Sequence, residues 1–284
     1  MNPDDFTFVA RLLKDRVGLL LTRDKSYLVQ NRLAGLLRAH GLANTGELVA
    51  ALRKGDDGLA TDVVDAMMSR DTAFFRDWKP FKHLSNVVLP NLRAARAAKR
   101  QLRILSMGCS TGQEAYSVAM QVIEEAESFA GWQVEIVGLD VSPAAIAIAE
   151  RGLYNQFEVQ RGLPIRSLLR HFTREGENWR IKDDLKRLVS FRAGNVLADI
   201  YPLGRFDVIL CRNLLIGFDQ QTKLEVLQKL SRSLNDDGML YVGVDESLTG
   251  VSGSFAPVLP NIGVYGAQTT SLAAARAIAV ARSG

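Results

Sequence analysis

From Leu102 onward the chain repeats one pattern, a short apolar run followed by a stretch of helical spacing. The runs RILSMG, VEIVGLD, LVSFRAGN, FDVILCRN and GMLYVGVDE are separated, for the most part, by helical stretches at residues 114–130, 143–151 and 220–234. Strands that alternate with helices in this way pair in parallel, so the pattern predicts a parallel sheet covered by helices on both faces. One gap breaks the rhythm. Residues 156–191 are more than a crossover requires, and within them HFTREGENWRI alternates apolar and polar residues around Gly176, the mark of a hairpin. An inserted antiparallel subdomain is therefore expected at about 156–191.

The first third is patterned differently. Phe6, Val9, Leu12, Leu13 and Val17 recur at helical spacing, as do Leu28, Leu33, Leu36 and Leu37, and two further segments lie around 48–52 and 59–68. Gly18, Gly41 and KGDDG (54–58) separate them. A small all-α domain is expected over 1–85, a linker over 86–101 that includes the polar, basic AARAAKR, and the α/β domain over 102–284. Two domains also suit 284 residues at about 150 per domain. The last stretch, 268–284, is rich in Ala, Ser and Arg and reads as a loose tail or a final helix.

Composition removes several function classes. With 47% hydrophobic and 23% charged residues the chain is neither disordered nor membrane-spanning, since no apolar run approaches the ~20 residues a bilayer requires. The start, MNPDDFTFVARLL, places acids where a secretory signal has a basic region, so a cytoplasmic location is expected. Cys109 and Cys211 are far apart, each beside an expected strand, and read as buried thiols; His40, His83 and His171 are scattered, so no metal site or histidine triad is expected. Residues 1–100 hold 17 Lys+Arg against 11 Asp+Glu, and the remainder 18 against 20. That front-loaded basic charge suits an acidic protein surface, and no nucleic-acid motif accompanies it.

In a parallel sheet, ligands bind beyond the carboxyl ends of the strands. Gly108 to Gly112 follow the first run, where glycines permit close backbone approach and the next helix offers unpaired N–H groups. Taken alone this turn is a weak signal, without the GxGxxG or GK[ST] spacing of phosphate sites. Glu114 sits in the first helical turn, where an acid is equally at home for its charge. Asp140 ends the second run and can accept both hydroxyls of a ribose. It stands 28 residues past Gly112, against about 20 in dinucleotide folds, which disfavours NAD. Asn195 follows the third run, Arg212 and Asn213 the fourth. Ahead of the sheet, SRDTAFFRD (69–77) sets two aromatics among charges at the expected domain junction.

In matching order, SRDTAFFRD, MGCSTGQEAYSVAM, GLDVSPAAIAIAERGLY, GNVL, FDVILCRNLLIGFDQQTK and DDGMLYVG resemble the chemotaxis receptor methyltransferases of the CheR family over nearly the whole chain. TAFFRD, STGQE and CRN are the most specific blocks. The resemblance implies an N-terminal helical domain, a Rossmann-like catalytic domain with an inserted antiparallel subdomain, and S-adenosyl-L-methionine as methyl donor, with S-adenosyl-L-homocysteine as product. It implies glutamates on the cytoplasmic helices of chemoreceptors as acceptors. Carried over, the cofactor contacts are Thr72, Arg76, Gly108, Glu114, Asp140, Asn195, Val196, Arg212 and Asn213, with Glu114 toward the methionyl ammonium and Asp140 toward the ribose. Arg76 is the expected catalytic residue, steering the acceptor carboxylate.

Three positions depart from the family's usual pattern: Arg70 for Asn, Ala115 for Pro, and Gly217 for Tyr near the transferred methyl group. The last opens space on the acceptor side and admits a second reading, a weakened cofactor-binding protein acting through protein contacts. An NAD-dependent oxidoreductase remains a third, consistent with the fold alone. The family docks receptors through a basic second helix; here Arg32 and Arg38 are about 600° of helix apart, so Arg23 or Lys25 would have to contribute.

Overall fold

The computed structural model describes residues 1–125, 127–198, 200–251, 253–268 and 276–277. The expected tail or final helix lies almost wholly outside the described residues.

Four helices open the chain: α1 (Pro3–Val17), α2 (Ser26–Ala39), α3 (Thr45–Arg53) and α4 (Asp57–Met67). Their ends are written locally. The Asn2 side chain accepts the Asp5 N–H ahead of Pro3, and Gly18, at φ +75°, closes α1 by donating to the Lys14 carbonyl. The apolar spacing becomes one shared core, in which Val9, Leu13, Val29, Leu33, Leu48 and Val63 are fully buried.

The expected linker at 86–101 is built differently. Two helices, α5 (Lys79–His83) and α6 (Leu89–Ala95), are joined by a π-helical turn over Leu84–Val88. They bury Phe81, Leu84, Val88, Leu89 and Leu92 in the same cluster as Ile104 and Tyr116 of the α/β part. Pro90 is the second residue of α6, directly after the π-helical turn in which the Leu89 N–H donates to the Leu84 carbonyl. Arg96, read from sequence as linker charge, donates to both Asp207 and Asp237.

The rest of the chain runs β1 (Gln101–Met107), α7 (Gln113–Glu124), β2 (Gln133–Asp140), α8 (Pro143–Arg151), β3 (Leu153–Asn155), α9 (Gln156–Gln160), α10 (Ile165–His171), β4 (Phe172–Glu175), β5 (Asn178–Ile181), α11 (Asp183–Lys186), β6 (Val189–Ala193), β7 (Phe206–Cys211), α12 (Gln220–Ser233), β8 (Leu234–Val242), β9 (Phe255–Leu259) and β10 (Val264–Ala267). The main sheet has the order β6-β2-β1-β7-β8-β10-β9. The five expected strands are its parallel members, and β10 pairs antiparallel with β8 and β9. Period-2 alternation along β1 sends Leu102 and Ile104 to the face covered by α7, and Leu105 and Met107 to the face covered by α12. The inserted segment is a three-stranded antiparallel sheet, β3-β5-β4, with Gly176 in the hairpin turn. Strand order reverses at β1, so its carboxyl end and its neighbours' ends open the crevice where ligands bind.

Candidate active site

Beyond the ends of β1, β2 and β7 lies a cleft of about 560 Å³. Thr72, Arg76, Gly108, Glu114, Asp140, Arg212 and Asn213 line it. A small recess lined by Gly108, Asp140, Asn195 and Val196 adjoins it. All nine residues singled out from the sequence are thus brought together at one edge of the sheet.

Gly108 turns the chain at φ +70°, and its N–H and that of Cys109 donate to the Leu139 carbonyl at 2.7 and 3.1 Å, tying the end of β1 to β2. Gly112 is required by close approach: at φ +95° an added Cβ would stand 2.9 Å from Ala149 Cβ and 3.0 Å from the Phe191 ring. Asp140 accepts the Ser110 N–H at 2.8 Å on Oδ2 and the Ser142 N–H at 2.9 Å on Oδ1. Each oxygen therefore retains a lone pair for a ligand hydroxyl. Burial pushes the Asp140 carboxyl above its ordinary range, against the pull of those two N–H groups.

Glu114 is held from two sides. Ser106 Oγ donates to its Oε1 at 2.8 Å and Arg212 Nη1 to its Oε2 at 3.2 Å. Arg212, its side chain 1% exposed, also donates through Nη2 to Asp77 Oδ2 at 2.7 Å and to the Arg76 carbonyl at 2.8 Å. One guanidinium therefore serves two carboxylates, and burial still raises the Glu114 carboxyl above its usual range despite Arg212. A cationic ligand beside Glu114 would offset that burial cost. The Ser110 hydroxyl, buried in the cleft lining, and Arg212 Nε have no hydrogen-bond partner among the described residues. These groups fit an adenosyl sulfonium carrying an ammonium better than a pyrophosphate, which would face Glu114 at the start of α7.

Arg76 lies on a tight loop. Phe75, Asp77 and Trp78 all have positive φ, at 49°, 62° and 31°. Packing imposes that backbone: Phe74 is fully buried edge-on to Tyr154 and Phe172, and the Phe75 N–H donates to Ser117 Oγ at 3.0 Å. Arg76 Nη1 donates to the Asp71 carbonyl at 2.9 Å. Asn195 has a second task, since its side-chain amide donates to the Arg16 carbonyl at the end of α1 while its oxygen accepts the Leu197 N–H.

The sequence did not single out Glu246. It is buried and accepts the N–H groups of Asn213, Gly243 and Ile216 at 2.8, 2.7 and 2.9 Å, binding the loop after β7 to the loop after β8. An acid ending the fifth apolar run, as Asp140 ends the second, was the available signal. The roof was also missed. Leu19, Leu20, Leu21 and Thr22 line the cleft, Leu19 bridges Phe218, and the Leu20 N–H donates to the Gly217 carbonyl at 2.8 Å.

Among the departures, Arg70 pairs with Asp65 at 2.6 Å, Ala115 is fully buried in the core, and a Cβ at Gly217 would meet Leu19 Cδ1 at 3.2 Å. Of the basic residues considered for docking, Arg32 donates to the Met67 carbonyl, Arg32 and Lys25 line the cleft, and Arg23, Lys25 and Arg38 are exposed. Cys109 and Cys211 are buried free thiols, and no cluster able to hold a metal occurs among the described residues.

Two family models match in succession: the CheR methyltransferase all-alpha domain over residues 4–68, and the CheR methyltransferase S-adenosylmethionine-binding domain over residues 70–261. The chain belongs to the CheR methyltransferase family. It is 36% identical to chemotaxis protein methyltransferase 1 of Pseudomonas aeruginosa over 92% of this chain and 96% of that one. It is 34% identical to the chemotaxis protein methyltransferase of Vibrio parahaemolyticus over 93% and 96%, and 35% identical to chemotaxis protein methyltransferase Cher2 of Pseudomonas putida over 92% and 96%. This family member is an enzyme, a chemotaxis protein methyltransferase, and S-adenosylmethionine is its methyl donor. No helix among the described residues is long and apolar enough to cross a membrane.

Proposed function

We propose that the methyl acceptors are glutamate side chains on the cytoplasmic helices of chemoreceptors, methylated in the cytoplasm, and that Arg76 steers the acceptor carboxylate. The supporting observation is the juxtaposition of Arg76 with the Glu114–Arg212–Asp77 cluster and Asp140 around one cleft. In this reading Asp140 holds the ribose and Glu114 the methionyl ammonium. Gly108, Asn195 and Val196 border the adenosine, with Thr72, Arg212 and Asn213 completing the wall.

Bound there, S-adenosylmethionine supplies a methyl group on a sulfonium, and an acceptor oxygen takes the methyl as sulfur leaves with the bonding pair. A glutamate with a reference pKa of about 4.3 is already ionised at neutral pH, so the site needs no general base. The opposite charges of acceptor and donor are neutralised during transfer, and water would favour them separated. The protein's part is therefore alignment and dryness. Arg76 orients the incoming carboxylate, and Leu19, Leu20, Leu214, Ile216 and Phe218 line the cleft with apolar surface.

Incubation with methyl-labelled donor and a purified chemoreceptor cytoplasmic fragment tests the reading. Base-labile label on glutamate is expected. Tight S-adenosylhomocysteine binding without label would transfer the case to the weakened, contact-acting protein that Gly217 suggested.

A further inference from the structure

Asp71 stands between two arginines. Arg161, just past α9 in the inserted segment, donates through Nη2 to Asp71 Oδ1 at 2.8 Å. Arg76 Nη2 lies 3.7 Å from Asp71 Oδ2, beyond hydrogen-bond reach, while Arg76 Nη1 donates to the Asp71 backbone carbonyl at 2.9 Å. The Asp71 carboxyl is held below its ordinary range first by the Arg161 hydrogen bond, and Arg76 adds the smallest pull. The carboxylate is thus drawn to Arg161, and among the described residues no carboxylate closes bidentately on Arg76, which lines the cleft.

The main chain fixes Arg161 in this place. The next residue, Gly162, has φ +81°, and a Cβ there would stand 2.1 Å from the Phe74 carbonyl oxygen. Only glycine lets the inserted segment press so closely on the loop bearing Arg76. Phe74 in turn packs edge-on against Tyr154 and Phe172 of β3 and β4.

We propose that Arg161 is a positioning residue for methyl transfer: by holding Asp71 aside it leaves Arg76 free to take the acceptor carboxylate. The inference rests on the role given to Arg76 above. Without Arg161, Asp71 closes on Arg76 and competes with the acceptor. The inserted subdomain then governs how strongly the enzyme takes its acceptor without touching the donor.

The test uses the full chain, methyl-labelled donor and a purified chemoreceptor cytoplasmic fragment. Asp71 and Arg161 are about half exposed, and exposed pairs are weak, so Arg161→Ala is expected to lower acceptor kcat/KM about three- to fivefold. S-adenosylhomocysteine affinity is expected to stay unchanged, and Arg161→Lys to keep most of the activity. The deciding variant is Arg161→Ala with Asp71→Asn, which is expected to return to the wild-type value. A loss that persists in the double variant, or no loss in Arg161→Ala, overturns the proposal. Arg76→Ala separates the two layers: if it retains full transfer, the role of Arg76 falls as well, whereas an inactive Arg76→Ala with no rescue removes the Arg161 inference alone.

Discussion

The two sides of the cleft are built by different means. On the donor side, Gly108, Glu114, Asp140 and Arg212 come from the ends of adjacent parallel strands or the helix that follows one, and they are bonded to backbone or to one another. On the acceptor side, Arg76, Gly217 and the Leu19–Thr22 segment come from a loop, a 3-10 turn (Leu215–Gly217) beyond β7 and the connection between α1 and α2. Single contacts such as Leu20 N–H to Gly217 O join them, and Leu20 and Ile216 are 42% and 67% exposed. In the proposed reading the sheet holds the donor, whereas the acceptor wall is assembled from remote parts. A side chain absent from the donor side should cost affinity, and one absent from the acceptor side should alter rate.

Arg76→Ala should break the comparison most sharply: methyl transfer falls by about 100-fold through lost alignment, while S-adenosylhomocysteine titration shows affinity retained. Asp140→Asn keeps the shape but not the charge, and should weaken S-adenosylhomocysteine by roughly tenfold, since a hydrogen bond to a charged group contributes about 1.5–3 kcal/mol. A variant that lost rate but not affinity would contradict the division. Glu246→Gln turns a donor toward N–H groups that need an acceptor, costing about 2 kcal/mol, read as a Tm lower by roughly 4–8 °C. Gly217→Tyr meets only the movable end of Leu19; it should fold, keep donor affinity and raise turnover severalfold by closing the wall to water.

The smallest effect is on pH dependence. Burial raises the Glu114 carboxyl in the free protein, so the unliganded fold loses stability as pH rises from the ordinary carboxylate range through that raised value. A cationic donor favours the ionised form, so its binding takes the opposite sign. Affinity should strengthen as pH rises through the Glu114 transition and weaken below it, and calorimetry on Glu114→Gln should show a flatter profile.

That the residues singled out would gather at one cleft was legible in the sequence because they sit where the pattern changes: each apolar run ends in a turn, and the residues there are few. All five parallel strands and the hairpin at Gly176 followed from the same alternation. What escaped was made by distance. β9 carries Pro257 and β10 carries Gly266, so neither short strand has a clean period, and their pairing is irregular. Glu246 matters through three N–H groups, two of them some 30 residues earlier in the chain. The roof at Leu19 acts through a partner at Phe218, nearly 200 residues away. Within the segment expected as a linker at 86–101, the charge on Arg96 is neutralised by Asp207 and Asp237, which the local sequence does not show.

The bridge from Leu19 to Phe218 also bears on how such an enzyme can be taken apart. A cut near residue 68, where one family model ends and the next begins, would leave a catalytic fragment lacking one wall of its own cleft. The seam between the two models is thus not a seam in the site, whose walls come from both sides of it.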